Sequence, residues 1–275
     1  MWQVTADTTA TALDVDVLRR VGELAGVQTW PVVLDLWATA ADGDEQDATH
    51  AAADREIASR GLFDAGEPVA WLGTALRVLA APERQLEIRT MTSDTATEAA
   101  EMRRTCVARS GHEHVIARRI GRQVDLRLLT VSAESEVAAL VTRDVGAVEP
   151  LEFAGLSVPA EELAGRLADC GGANDIADAL HTLGAVGSDA VVLGSALTRC
   201  HTRSEIVAVS WSNGGSTQSS GALAIFDTDR GRIVASPSKS PDGRVWTTLS
   251  PGGAHRITQA VGLLIETLPE GRWMP

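Results

Sequence analysis

No run in this sequence approaches the roughly 18 consecutive apolar residues of a membrane-spanning helix, so insertion into a bilayer is not expected. Cysteine is scarce: Cys106, Cys170 and Cys200 are the only three, and no two form a CxxC pair. An odd number at scattered spacing is not a disulfide framework, and it points to a reducing, cytoplasmic compartment. The opening stretch MWQVTADTTATALDVDV lacks both a basic segment and a continuous apolar core, so it is not expected to act as a signal peptide. Positive charge is also short, with 24 Lys and Arg against 37 Asp and Glu and a formal net charge of −13. A surface of that sign repels phosphate backbones and anionic lipid, which argues against nucleic acid or a membrane as the partner.

What is present suits a soluble globular protein. Hydrophobic residues make up 44% and charged residues 22% of 275, enough to build a sizeable core in one large domain or two ordinary ones.

Hydrophobic periodicity divides the chain into alternating helical and strand-like regions. LDVDVLRRVGELAG (13–26) fits either type, because LDVDV alternates while Leu13, Val17, Val21 and Leu24 share a helical stripe. WPVVLDLWA (30–38) reads as a strand behind Pro31, and 44–59 as an alanine-rich helix closed by Gly61. EPVAWLGTALRVLA places Pro68 at a helix start and Trp71, Leu72, Leu76 and Leu79 on one face. From Gln85 the period falls to two, and QLEIRTM, EMRRTCVA, EHVIARR and QVDLRLLTV read as four strands. A helix capped by Ser132 runs through EVAALVTRDV, and AVEPLEFAGLSVP reads as a connector. Helices follow over AEELAGRLADC, NDIADALHTL and SDAVVLGSALTRC, the last two with Asn174 and Ser188 as N-caps. EIVAVSW, ALAIFD, RIVASP and RVWTTLS are strands, and a final helix carries Ile257, Ala260, Val261, Leu264 and Leu268 on one stripe before Pro269 and Gly271.

The order of elements repeats. QVDLRLLTVSAESEVAALVTRDVGAVEP and RVWTTLSPGGAHRITQAVGLLIETLPEG share a last strand, a serine start signal, an apolar-striped helix and a proline. The expected fold is therefore α+β: a quasi-two-fold duplicated unit with a central antiparallel sheet flanked by helices and a helical bundle. It forms a single domain over 1–275 with pseudo-repeat halves of about 1–150 and 151–275, and a helical insert over 159–198.

Few residues suggest catalysis. SNGGSTQSSG (212–221) could cradle a phosphate, present a nucleophilic serine, or turn a hairpin. It lacks the lysine of a GxxxxGK[ST] loop and precedes a strand, so no helix N-terminus would face an anion. Ser216 follows a glycine but lacks the second glycine of a nucleophile elbow. Ser236 and Lys239 match SxxK, with Pro237 between them and no SDN or KTG partner. His112 and His114 would share a strand face at zinc-like spacing, with Cys106 as the only nearby third ligand. Acid pairs sit at helix starts, where they complement the dipole. A serine- or metal-dependent hydrolase using Ser216, Ser236 with Lys239, or His112 with His114 is thus the alternative to a binding protein. No cofactor is implied. Among the tryptophans, most hold core-patterned positions, and a couple are candidates for interface anchors.

The C-terminal run supplies a resemblance. EIVAVSW, the hairpin DTDRGRI with ASPS after it, DGRVWTTLSPG, and the closing LPEGRW resemble the EspG family of secretion-associated chaperones from mycobacterial type VII (ESX) systems. REIASRGLFDAGEPVAWLGTALRVLAAPERQLEIR is similar to that family's paired helices and following strand. The resemblance implies a non-enzymatic, cytosolic protein with a quasi-two-fold α+β fold. It implies binding to the tip of the PPE subunit of a PE–PPE-like secreted heterodimer, keeping the client soluble and carrying it to its secretion machinery. By the same resemblance, Ser212, Asn213, Gly214, Gly215, Ser216, Thr217 and Gln218 form a client-contacting loop. The segment 93–101, with Asp94, Glu98 and Glu101, corresponds to a second client-facing loop, here short and acidic. Helices over 160–198 are expected to complete the surface. A homodimeric structural protein without client binding is the third reading.

Overall fold

Residues 10–37, 43–93, 100–212 and 214–275 are described by the computed structural model. The ambiguity of LDVDVLRRVGELAG resolves as both types in succession. Strand β1 (Ala10–Asp14) passes directly into helix α1 (Val15–Leu24) at Asp14, whose carboxylate accepts the Asp16 N–H at 2.9 Å as an N-cap. Helix α2 (Gly43–Ser59), the two-residue strands β2 (Phe63–Asp64) and β3 (Glu67–Pro68), and helix α3 (Ala70–Ala80) follow. A four-strand meander comes next: β4 (Arg84–Ser93), β5 (Ala100–Ser110), β6 (Glu113–Ile120) and β7 (Gln123–Thr130), closed by helix α4 (Glu134–Val145).

The second run of elements has the same order. Strand β8 (Leu156–Pro159) precedes helices α5 (Ala160–Leu167), α6 (Ala173–Thr182) and α7 (Gly187–Leu197). Strands β9 (Cys200–Ser212), β10 (Gly215–Gln218), β11 (Leu223–Thr228), β12 (Gly231–Lys239) and β13 (Val245–Pro251) lead to helix α8 (Ala254–Glu266). The strands lie side by side as β1-β7-β6-β5-β4-β9-β11-β12-β13-β8, with β10 paired to β9 off this path. Each named pair is antiparallel, and the central pair β4–β9 joins the two runs, from Arg84 opposite Ser210 to Thr92 opposite Thr202.

Period-2 alternation assigns residues to two faces. On one face, Leu86 and Ile88 of β4 and Ile206 and Ala208 of β9 pack beneath α4 and α8. On the other face two separate helical layers cover the flanks. One, with α1, α2 and α3, packs on Cys106, Ala108, Ala117 and Leu126; the other, with α5, α6 and α7, packs on Ile233, Ala235 and Leu249. The central strands lie between these layers, and that gap positions the site.

Several local expectations are corrected. WPVVLDLWA is not a strand: Val32–Leu34 is a 3₁₀ turn ended by Asp35 in the left-handed region at φ 51°. Its polar groups are bound by the sheet instead, since Arg119 donates to the carbonyls of Leu34 (2.8 Å) and Asp35, and Arg104 pairs with the Asp35 carboxylate at 3.3 Å. The end of AVEPLEFAGLSVP is the edge strand β8, paired with β13. Pro68 pairs with Phe63, and α3 starts behind Val69. The N-caps are Ala133, Gly172 and Val186 rather than Ser132, Asn174 and Ser188. Ser132 instead donates its backbone N–H to Glu136 Oε2 at 2.8 Å. The segment over 159–198 is no unmatched insert in the element order, because α5–α7 stand where α1–α3 stand in the first run.

Candidate functional site

A cleft of about 760 Å³ opens over the central strands. Its floor is Gln85, Glu87 and Arg89 of β4 and Val207 and Val209 of β9. One wall is built by the end of α3 with Pro82 and by the segment bearing Trp30, Val32 and Trp37; the opposite wall is Gly214, Ser216 and Gln218. Three of the large apolar side chains left open to solvent stand on this cleft, namely Val32 (59% exposed), Trp37 (61%) and Trp211 (44%). Exposed tryptophans beside one concavity are the composition of a binding surface more than of a folding core.

The loop singled out from sequence is half strand. Gly215, Ser216, Thr217 and Gln218 pair with Ser212, Trp211, Ser210 and Val209, so β10 doubles back along β9 directly after Gly214. Gly214 holds φ 78°, a left-handed conformation that most side chains resist. The far end of this excursion is fastened from below. Ser219 donates its N–H to the Ala208 carbonyl at 2.7 Å and its hydroxyl to the Gly221 carbonyl at 2.7 Å, and Ser220 N–H reaches Thr267 Oγ1 at 3.3 Å. Ser212, Gly215, Ser216, Thr217 and Gln218 are all exposed, as is Gly214. Asn213 lies outside the described residues.

The second sequence-predicted loop lies elsewhere. Asp94 and Glu98 fall outside the described residues, while Glu101 is exposed on β5 opposite Thr92. Because β9 runs antiparallel to β4, Trp211 and Ser212 lie at the Arg84 end, whereas Thr92 and Glu101 lie at the other end. Ten residues of strand at roughly 3.3 Å each separate the two ends by about 30 Å. Among the described residues, Glu101 and the 214–218 segment are not brought together. Reasoning from sequence missed the cleft itself: Trp30, Trp37, Gln85, Glu87 and Trp211. The available signal was tryptophan at positions outside a regular apolar stripe.

The hydrolase candidates do not assemble. Ser216 faces Trp211 across the β9–β10 pair, and the residues lining the cleft include no histidine. Ser236 and Lys239 are three apart on β12, so their side chains leave opposite faces of the sheet. His112 sits exposed in the turn, while His114 is buried with both ring nitrogens engaged, by the His112 carbonyl (3.0 Å) and Trp273 Nε1 (3.0 Å). Burial pushes the Cys106 thiol well above its ordinary range and also raises that of Cys200, so neither is an activated nucleophile. Among the described residues no group of three or more His, Cys, Asp or Glu is placed to hold a metal ion. Among the same residues no helix is long and apolar enough to cross a membrane.

The charge on the cleft floor is unusual for a buried strand. Glu87 is 8% exposed; its Oε1 accepts from Gln85 Nε2 at 2.7 Å and its Oε2 from Arg89 Nη2 at 3.4 Å. Burial raises its pKa above the ordinary carboxylate range, outweighing the lowering by Arg89 and Gln85.

Comparison with known proteins agrees with this architecture. The family model described as EspG family matches residues 14–262. The ESX-3 secretion-associated protein EspG3 of Mycolicibacterium smegmatis is 27% identical over 273 residues, covering 97% of this chain and 89% of that protein. The ESX-1 secretion-associated protein EspG1 of Mycobacterium tuberculosis is 28% identical over 262 residues, covering 94% and 88%. Among solved structures, the Mycobacterium tuberculosis type VII secretion system chaperone EspG5, in complex with a PE25–PPE41 dimer, superposes with a TM-score of 0.80. That match covers 96% of this chain and 99% of the other at 18% identity, which is a likeness of fold.

Proposed function

We propose, from the premise that this chain belongs to the EspG family, that it is a cytosolic chaperone of a type VII secretion system. It binds the PPE tip of a PE–PPE-like heterodimer, keeps that heterodimer soluble, and directs it to the secretion machinery without itself catalysing a reaction. Support comes from relatives named as secretion-associated proteins and from a chaperone of the same fold in complex with a PE–PPE dimer. The observation that carries the docking surface is the tryptophan-bordered cleft with the 214–218 segment as one wall.

The chemistry suits such a client. The tip of a helical hairpin exposes apolar side chains and backbone groups without intrahelical partners. Trp37, Trp211 and Val32 supply apolar area, and Ser212, Gly214, Gly215, Ser216, Thr217 and Gln218 allow close backbone approach with adaptable polar groups. Asn213 belongs to the same proposed contact set. A client that also met Glu101 would have to extend about 30 Å along the central strands, and Asp94 and Glu98 belong to the same proposed contact set. The same element order on both sides of the β4–β9 pair supports reading the chain as one domain of two pseudo-repeat halves, about 1–150 and 151–275.

Co-expression with each PE–PPE pair encoded beside a type VII system, followed by size exclusion, tests the proposal. Co-elution of a stoichiometric complex with one pair is the expected result. A chain that elutes alone or as a homodimer with every pair would overturn it.

A further inference from the structure

The cleft has one largely apolar wall and one polar wall, and on its floor Gln85 and Glu87 stand beside Arg89, Val207 and Val209. Gln85 and Glu87 leave β4 on the same face, 2% and 8% exposed, and both line the cleft. Gln85 commits its amide nitrogen to Glu87 Oε1, which turns Gln85 Oε1 away from the carboxylate. That oxygen is buried and has no hydrogen-bond partner among the described residues. An orphaned buried acceptor is uncommon and calls for a donor. Glu87 is also under-used: a carboxylate offers about four acceptor positions, and among the described residues it meets, beyond Gln85, the long 3.4 Å contact from Arg89. Arg89 itself stands opposite Glu205 in the β4–β9 register, so it has a second carboxylate within its row. Trp30, Trp37 and Trp211 line the same cleft, and indole faces attract cations.

We infer that the cleft floor is a recognition subsite for an arginine side chain carried by the bound partner, with Glu87 and Gln85 Oε1 as its acceptors and the cleft tryptophans as its stacking surface. A guanidinium fits where an ammonium does not, because its planar fork of donors serves two separate acceptors while its faces lie on aromatic rings. The partner is therefore an apolar surface with one embedded arginine. For the partner's identity as a PE–PPE client, the inference rests on the proposed function; the chemistry of the subsite does not.

The test uses the full chain and two capped pentapeptides, leucine–alanine–arginine–alanine–leucine and its counterpart with citrulline, which keeps the shape and loses the charge. Binding is measured by calorimetry at low and high salt. The arginine peptide is expected to bind at least about tenfold more tightly than the citrulline peptide, the value of one charge-assisted contact. That preference should shrink as salt rises and vanish in Glu87→Gln, while the melting temperature of Glu87→Gln is not lowered. Equal binding of the two peptides, no binding of either, or a preference that survives Glu87→Gln would overturn the inference. Arginine preference in a chain that captures no PE–PPE pair would leave the subsite standing and sink the chaperone function. Client capture without arginine preference would do the reverse.

Discussion

Trp273 donates its indole N–H to His114 Nε2 at 3.0 Å in the buried interior, fastening the C-terminal segment to the start of β6. His114 must then carry its own proton on Nδ1, donated to the His112 carbonyl at 3.0 Å. The neutral ring is thus the native form, and burial holds its pKa below the ordinary imidazole value, with Arg109 and His112 adding to that effect against the His112 carbonyl and Glu136.

The sign of the pH dependence follows. A group with a depressed folded pKa contributes its stability above its unfolded value, about 6.5 for histidine, and loses it as pH falls below that. Thermal melts between about pH 7 and pH 5 should show a steeper loss for the wild type than for His114→Gln. Parallel slopes would mean that His114 does not titrate with folding.

Trp37 and Trp211 are exposed at the cleft, so Trp37→Ser and Trp211→Ser should each change stability by only about 0.5 kcal/mol. Client affinity should fall by about 2 kcal/mol or more, roughly thirtyfold, as for an interface anchor. Calorimetry with a co-eluting PE–PPE pair reads both effects. Retained affinity in both variants would move the interface away from this cleft.

Gly214 and Gly215 are adjacent yet separable. Gly214 sits at φ 78°, so Gly214→Ala should cost about 1 kcal/mol of stability. A Cβ on Gly215 meets only the Ser212 carbonyl, at 3.9 Å, so Gly215→Arg should fold normally. Loss of client capture by Gly215→Arg at an unchanged melting temperature is expected if β10 lines the interface, and pull-down of the folded variant decides it.

Glu87 has a raised folded pKa, so its stabilising share is complete below the ordinary glutamate value of about 4.3 and is lost as pH rises through the folded value. At neutral pH, Glu87→Gln should be at least as stable as the wild type. The wild type should gain relative to the variant on acidification. Chemical denaturation of both across that range checks it, and a variant less stable at neutral pH would show that the charged carboxylate holds the fold together.

The local period carried the element types. The stripe through Ile257, Val261 and Leu264 makes α8 helical because those residues share one side of a 3.6-residue turn, and the short apolar run of EHVIARR is a strand buried on both faces, with Val115 and Ala117 on one side and Ile116 on the other. Both are properties of neighbours in sequence. Asn174 and Ser188 are not the N-caps because Gly172 and Val186 cap those helices two residues earlier. WPVVLDLWA failed because Arg104 and Arg119, some 70 to 85 residues away, bind its carbonyls and carboxylate.

The sequence alone determined an acidic α+β chain with a repeated element order and a polar turn between two strands. Tertiary structure decided where those parts meet. Alternation separates Gln85 and Glu87 from Leu86 and Ile88, but only packing leaves the first pair facing an open cleft while α4 and α8 cover the second. The antiparallel β4–β9 pairing, between residues more than 100 positions apart, put Glu101 and the 214–218 segment at opposite ends, and β10 lies along the cleft wall. Contacts of that range depend on which distant surfaces bury each other, and no local pattern encodes that choice.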